Sequence, residues 1–310
     1  MSSDVYEITA NAKINLFLRV TGRLPNGYHK LYTVMQEIDI HDDLTIEITS
    51  GSPEIEMVCP GRDDIRPEKN LCFKAADRFY SKLKKKYQAE DRMLDIPHTK
   101  ITLIKNIPSE SGMGGGSSDA AAVLMTLQEH FASPFTEEEL AGIAVNIGAD
   151  VPFFLYGGTC LCEMVGEVIT PLASMSGMPL VIVKPKGGVS TPECFKMIDS
   201  GPLSSFDGGA YSEFISELDG KIRSGEDVLS FLSDKEDLLV NDLQSPGIKF
   251  VPQIENIIGE LKSNGASYAA MTGSGSAVFG LFADEDSASG CAERIREENS
   301  DLLVIVSKTI

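Results

Sequence analysis

A chain of 310 residues, 42% of them hydrophobic, has material for two domains of ordinary size and a substantial core. Its 27 basic and 46 acidic residues leave a net charge of −19, which repels nucleic-acid backbones and anionic membranes and argues against either as a partner. The first residues have neither a basic start nor an apolar run, and no apolar stretch approaches the roughly 20 residues of a membrane span, so a cytoplasmic protein is expected.

Residues 12–20 (AKINLFLRV) predict a strand, followed by a turn at Leu24-Pro25-Asn26-Gly27. Residues 44–48 alternate apolar and polar, as a half-exposed strand does. A helix is predicted over 71–87, with Lys84-Lys85-Lys86 on its solvated face. Residues 100–107 (KITLIKNI) predict a strand that runs into Pro108 and a glycine-rich loop. From Ser117 the period changes: Ala120, Val123, Leu124, Leu127 and Phe131 recur at helical spacing and make one apolar stripe. Thr136 and Glu139 carry a capping-box signature for a second helix that ends at Gly148, and Asp150 then stands in an N-cap position.

Met178-Pro179 opens a buried strand over 180–183 and marks the expected domain boundary, giving domains 1–177 and 178–310. Beyond it helices are predicted near 211–224 and 251–263, then a strand at 268–271, a glycine turn, a strand at 277–282, an acidic helix at 285–298 and a strand at 302–306. That order describes an α+β domain. The segment 200–209, small, polar and glycine-rich, reads as a mobile loop. Six cysteines at irregular spacing, with only four histidines, form no zinc pattern, so reduced, buried thiols and no protein metal cage are expected.

The sharpest local feature is Pro108-Ser109-Glu110-Ser111-Gly112-Met113-Gly114-Gly115-Gly116-Ser117-Ser118-Asp119, set between a strand and a helix. Glycines allow positive φ and close approach of a ligand to the backbone, and the first N–H groups of the helix favour an anion. A dinucleotide-binding turn fits only with Ser117 in place of its last glycine, and no second strand ending in an acid follows at the right distance. A Walker loop requires Gly-Lys-Ser/Thr, which occurs nowhere in the chain. A strand–helix packing turn without a ligand stays open on the residues alone.

Four segments taken together resemble the GHMP kinases. They are Ala12-Lys13-Ile14-Asn15-Leu16-Phe17-Leu18 with Gly27-Tyr28-His29, the glycine loop with its Gly-Met-Gly-Gly-Gly-Ser-Ser-Asp, Ile147-Gly148-Ala149-Asp150-Val151-Pro152, and Met271-Thr272-Gly273-Ser274-Gly275-Ser276. They stand in the family's order and span nearly the whole chain. The triple glycine before Ser-Ser-Asp is the form of a branch whose substrate carries a cytidine diphosphate group. Glu110 and Ser111 stand where that family usually has small residues, and Glu110 is expected to face solvent.

The resemblance implies a two-domain α+β GHMP kinase fold with its active site in the groove between domains, and phosphoryl transfer from ATP with Mg2+ to a small-molecule alcohol. It implies Lys13 and Asp150 as catalytic residues, with Asp150 accepting the hydroxyl proton. ATP would be held by Pro108, Ser111, Gly112, Met113, Gly114, Gly115, Gly116, Ser117 and Ser118, of which Ser117 and Ser118 are also candidates for the metal. The substrate would meet Asn15, Tyr28, His29, Thr191, Phe195, Gly273, Ser274 and Gly275, with Tyr28-His29 and Phe195 around the base. Asn241-Asp242 resembles a family pair to which no catalytic task is given. The rival readings are a family member acting on homoserine, mevalonate or a sugar, and a nucleotide-binding paralogue without turnover. Oligomeric state is left open.

Overall fold

The computed structural model describes residues 3–62 and 66–310. Its first elements are β1 (Ser3–Arg23), β2 (His29–Thr49), β3 (Ile55–Val58), α1 (Leu71–Ala89), β4 (His98–Ile104), α2 (Gly115–His130), α3 (Glu137–Ala144) and α4 (Phe153–Tyr156). Then come β5 (Thr159–Met164), β6 (Val168–Pro171), β7 (Pro179–Lys184), α5 (Thr191–Asp199), α6 (Gly208–Ser224), α7 (Val228–Asp234), α8 (Gln244–Phe250) and α9 (Gln253–Ser263). The chain ends with β8 (Tyr268–Met271), β9 (Val278–Leu281), α10 (Glu285–Glu298) and β10 (Leu303–Lys308). No described helix is long and apolar enough to cross a membrane.

The chain packs as two units, each discontinuous in sequence. The first comprises residues up to Ala12, Ile40–Ile107 and Gly114–Tyr156; the second comprises Lys13–Asp39, Pro108–Met113 and Gly157–Ile310. The long strands β1 and β2 therefore contribute to both.

In the first unit β2 pairs antiparallel with β4 from Asp43↔Ile104 to Thr49↔His98, and β3 runs parallel to β4. The alternation of 44–48 is realised: Leu44, Ile46 and Ile48 are buried, and so are Ile101 and Leu103 across the ladder. Helices α1, α2 and α3 pack on one another. The Asn70 side chain caps α1 by accepting from the Cys72 N–H, and Thr136 and Glu139 form the capping box of α3. That helix stops at Ala144, short of Gly148, and the residues to Pro152 form turns ahead of α4. Helix α2 is buried more widely than one stripe, because Ala121 and Ala122 are covered as well as Ala120, Val123, Leu124 and Leu127.

In the second unit β2 pairs antiparallel with β5, and β5 with β6. A separate antiparallel sheet has the order β10-β7-β9-β8, with α9 and α10 against it. Its core joins Val181, Val183, Ile254, Ile257, Leu261, Val278 and Ile295 to Leu18 and Val20 of β1. Residues 12–20 are buried without interruption, as in a strand covered on both faces. The segment 200–209 is partly anchored: the Ser205 carbonyl accepts from Arg19 at 2.8 Å, Phe206 stacks on Tyr211, and Gly208 already opens α6.

Candidate active site

The first unit carries the second half of the glycine loop. Gly114 is the N-cap of α2 with φ +74°, and the Ser117 and Ser118 N–H groups fold back onto its carbonyl. A side chain at Gly115 would press on Ile107 at 3.0 Å and on Asp42 Oδ2 at 3.3 Å, so this turn needs a bare backbone. The Ser117 hydroxyl lies 3.6 Å from where a Cβ on Gly148 would stand, which brings the first turn of α2 beside the 148–150 turn and half-buried Asp150. Glycine backbone at a helix start is suited to an anion such as phosphate.

Behind that turn sits a buried charge cluster. Lys105 donates to Asp42 and, at 2.7 Å, to Asp119 on α2, while Asp42 also accepts the Asn106 and Ile107 N–H groups where β4 ends. Burial pushes the Asp119 carboxyl up to about 7 even though Lys105 pulls the other way. The two carboxylates in turn hold Lys105 above the ordinary lysine range against the cost of its burial. This cluster fixes the end of β4 to the start of α2.

The second unit holds Lys13, and two neutral acceptors are among its partners. At 2% exposure, its ammonium donates to Asn15 Oδ1 at 2.6 Å and to the Gly112 carbonyl at 2.7 Å. Asn15 is oriented in turn: its Nδ2 donates to Thr33 Oγ1 at 3.0 Å and its N–H to Thr272 Oγ1 at 3.1 Å. Gly112 and Gly273 are required by close approach. A Cβ on Gly112 would stand 2.1 Å from the Thr272 carbonyl, and one on Gly273 would stand 2.7 Å from the Gly112 carbonyl and 3.2 Å from the Lys13 ammonium. Both have positive φ, at +76° and +54°.

The C-terminal glycine loop is laced to the 108–113 segment. The Ser276 and Ala277 N–H groups donate to the Glu110 and Ser111 carbonyls, and the Lys13 N–H donates to the Met113 carbonyl. Ser111 and Met113 are buried and build the floor of this loop, whereas Glu110 is exposed. The Glu110 carboxylate lies over Gly188, where a Cβ would come within 2.0 Å of it. Asn241 completes the scaffold by donating to the carbonyls of Met271 at 2.7 Å and Gly273 at 2.9 Å. Its neighbour Asp242 accepts from Arg19 and from the Val20 N–H. The Asn-Asp pair thus holds the glycine loop with one residue and β1 with the other.

Helix α5 supplies the next part of the site. Thr191 Oγ1 meets Ser274 Oγ at 2.6 Å. One turn on, Phe195 stacks on His29 with ring centroids 4.5 Å apart and an interplanar angle of 16°. Two turns on, Asp199 Oδ1 meets His29 Nε2 at 2.8 Å. One face of Phe195 is therefore covered by His29, and a base cannot lie between those two rings. Tyr28 is 59% exposed.

The structure thus gathers Lys13, Asn15, Gly112 and Gly273 in one cluster, Thr191 with Ser274 in another, and His29 with Phe195 in a third. In the other unit it sets Gly114 to Ser118 beside the turn that carries Asp150. Sequence reasoning missed Thr33, Asp199 and the Asp42–Lys105–Asp119 cluster. Asp199 had a signal: Thr191, Phe195 and Asp199 are four apart and share a helical face. Asp42 had none, since its partners are 63 to 65 residues away.

Residues 70–158 match the family model of the GHMP kinases N terminal domain, and residues 226–301 that of the GHMP kinases C terminal. A 4-diphosphocytidyl-2-C-methyl-D-erythritol kinase from Desulfitobacterium hafniense is 39% identical over 94% of this chain and 92% of its own length. One of the same name from Clostridium tetani is 38% identical over 98% of this chain and all of its own. A crystal structure of 4-(cytidine 5'-diphospho)-2C-methyl-D-erythritol kinase superposes with a TM-score of 0.74 at 29% identity, covering 98% of this chain and 99% of that one. The homoserine kinase of Cytophaga hutchinsonii, with a TM-score of 0.71 at 15% identity over 99% of this chain and 95% of its own, shares the fold. With relatives 38% and 39% identical over nearly the whole chain, the chain belongs to the GHMP kinases, within the branch of these two relatives.

Proposed function

We propose that this kinase transfers the γ-phosphoryl group of ATP to the 2-hydroxyl of 4-diphosphocytidyl-2-C-methyl-D-erythritol, a step of non-mevalonate isoprenoid precursor synthesis in the cytoplasm. The observation that carries the reading is a buried lysine caged by two obligate glycines in a chain whose full-length relatives bear that name. The domains of the family are read as 1–177 and 178–310.

The bond from the hydroxyl oxygen to phosphorus forms as the bond to ADP breaks, so the protein's task is alignment and charge stabilisation. Asp150 accepts the hydroxyl proton. A carboxylate suits a loose transition state in which that proton leaves late. Lys13 stabilises negative charge on the attacking oxygen, and Asn15 and the Gly112 carbonyl fix its ammonium in advance. The backbone of Gly114 to Gly116 takes the ATP phosphates at the start of α2. The hydroxyls of Ser117 and Ser118 would be the loop's contribution to holding Mg2+. When bound, it neutralises phosphate charge. Tyr28, His29 and Phe195 take the cytosine, while Thr191 and the Gly273-Ser274-Gly275 loop take the diphosphate.

The test is ADP release with ATP, magnesium and the named alcohol, run beside Asp150→Asn. Turnover with phosphorylated product is expected, with kcat lowered by about 10³ or more in the variant. A folded, ATP-binding protein that leaves this alcohol untouched refutes the substrate. Full activity in Asp150→Asn refutes the role of Asp150.

A further inference from the structure

We propose that Asp199 is a positioning residue that fixes the tautomer and the plane of His29, so that the site favours a pyrimidine with an exocyclic amino group over one with a carbonyl in its place. The proposal rests on the reading that His29 lies in the base subsite.

The geometry is that of a clamped imidazole. The His29 side chain is 7% exposed and lies flat on Phe195, which fixes its plane. Asp199 holds Nε2 at 2.8 Å, and its other oxygen meets Arg23 Nη1 at 3.3 Å. The hydrogen bond with His29 keeps the Asp199 carboxyl below the usual range, and the charge of Arg23 acts in the same direction. An ionised carboxylate only accepts, so the proton on the neutral ring belongs on Nε2. Nδ1, which has no hydrogen-bond partner among the described residues, is then left with a lone pair. A lone pair accepts from the amino group of cytosine and opposes the carbonyl that uracil carries there. The selection is made two helical turns beyond Thr191, by a side chain that need not touch the ligand.

The isosteric change Asp199→Asn tests this sharply. Arg23 donates, so it holds the amide oxygen and turns the amide NH2 toward Nε2. The ring proton must then move to Nδ1, which becomes a donor. Dissociation constants for CDP and UDP would be measured by calorimetry on the full chain, with ADP saturating, together with KM and kcat. The wild type is expected to bind CDP more tightly than UDP. In Asp199→Asn that preference should fall by roughly tenfold, the worth of one hydrogen bond, while kcat and the KM for ATP hold. Asp199→Ala, which frees the ring, should weaken CDP by a similar factor.

A strap that merely held α5 in place would lower the melting temperature and weaken CDP and UDP alike. An unchanged preference in folded Asp199→Asn and Asp199→Ala proteins overturns the proposal and leaves the base subsite intact. A wild type that binds CDP and UDP equally overturns the base reading itself, and the proposal with it.

Discussion

Glycine at 112 is a steric necessity as well as part of a family motif. Its φ of +76° lies in the left-handed region, and a Cβ would stand 2.1 Å from a backbone carbonyl that has no rotamer in which to move away. Gly112→Ala is therefore expected to cost about 3 kcal/mol in urea unfolding, from strain and overpacking together. It should also reduce kcat far more than the KM for ATP, because the Gly112 carbonyl is a direct acceptor for Lys13. A variant with wild-type kcat would mean that the cage does not position the ammonium. Lys13 itself illustrates what a residue type conceals. In a strand it reads as a surface cation with its stem on apolar neighbours, yet here it is almost wholly buried, with acceptors at 112 and 15 among its partners and Asn15 held in turn by 33 and 272.

At the scale of elements, the informative contrast is between helices read from local signals and contacts made across long separations. The capping box at Thr136 and Glu139 appears as expected, because a cap depends on atoms three residues apart. The acidic helix of 285–298 and the strand of 268–271 also form over those residues. Strand β4, by contrast, ends at Ile104 and not at Ile107, because Asp42 takes the Asn106 and Ile107 N–H groups out of the ladder. Lys105 joins that aspartate to α2. Lys105→Met would leave Asp42 and Asp119 buried together without a cation, at a cost of about 3–5 kcal/mol. Thermal or denaturant unfolding measures this, and a loss below about 1 kcal/mol would mean that water or protonation already relieves the pair. The charge cluster was illegible because a short carboxylate in an exposed-looking turn carries no periodic signal.

The whole molecule bears a charge of −19, but its candidate phosphate sites are local: backbone amides at the start of α2 in one unit, a caged lysine in the other. Burial is equally decisive for the cysteines. All six are thiols outside any disulfide, five of them buried. Burial raises the Cys160 thiol to about 12 and that of Cys194 to about 11, and drives Cys72 well above its usual value, so almost no thiolate forms at neutral pH. A disulfide reagent at pH 8 should modify half-buried Cys59 first and leave the buried thiols slow, whereas all six should react in guanidinium. Rapid reaction of several thiols in the native protein would show that these cores open.

What the sequence determined by itself is whatever depends on near neighbours or on an ordered set of motifs: helix caps, strand alternation, the two glycine loops and membership of a kinase family. Composition and the period of apolar residues carry that information because hydrogen bonding and burial repeat locally. Tertiary structure decided the rest. It alone brought Asn241 onto the glycine loop, Asp199 onto His29 and Lys105 between two aspartates, and divided the chain into packing units that each take part of β1 and β2. Those contacts join residues tens to hundreds of positions apart. The identity of a side chain says what bonds it can make, but only the fold decides which partner arrives within reach.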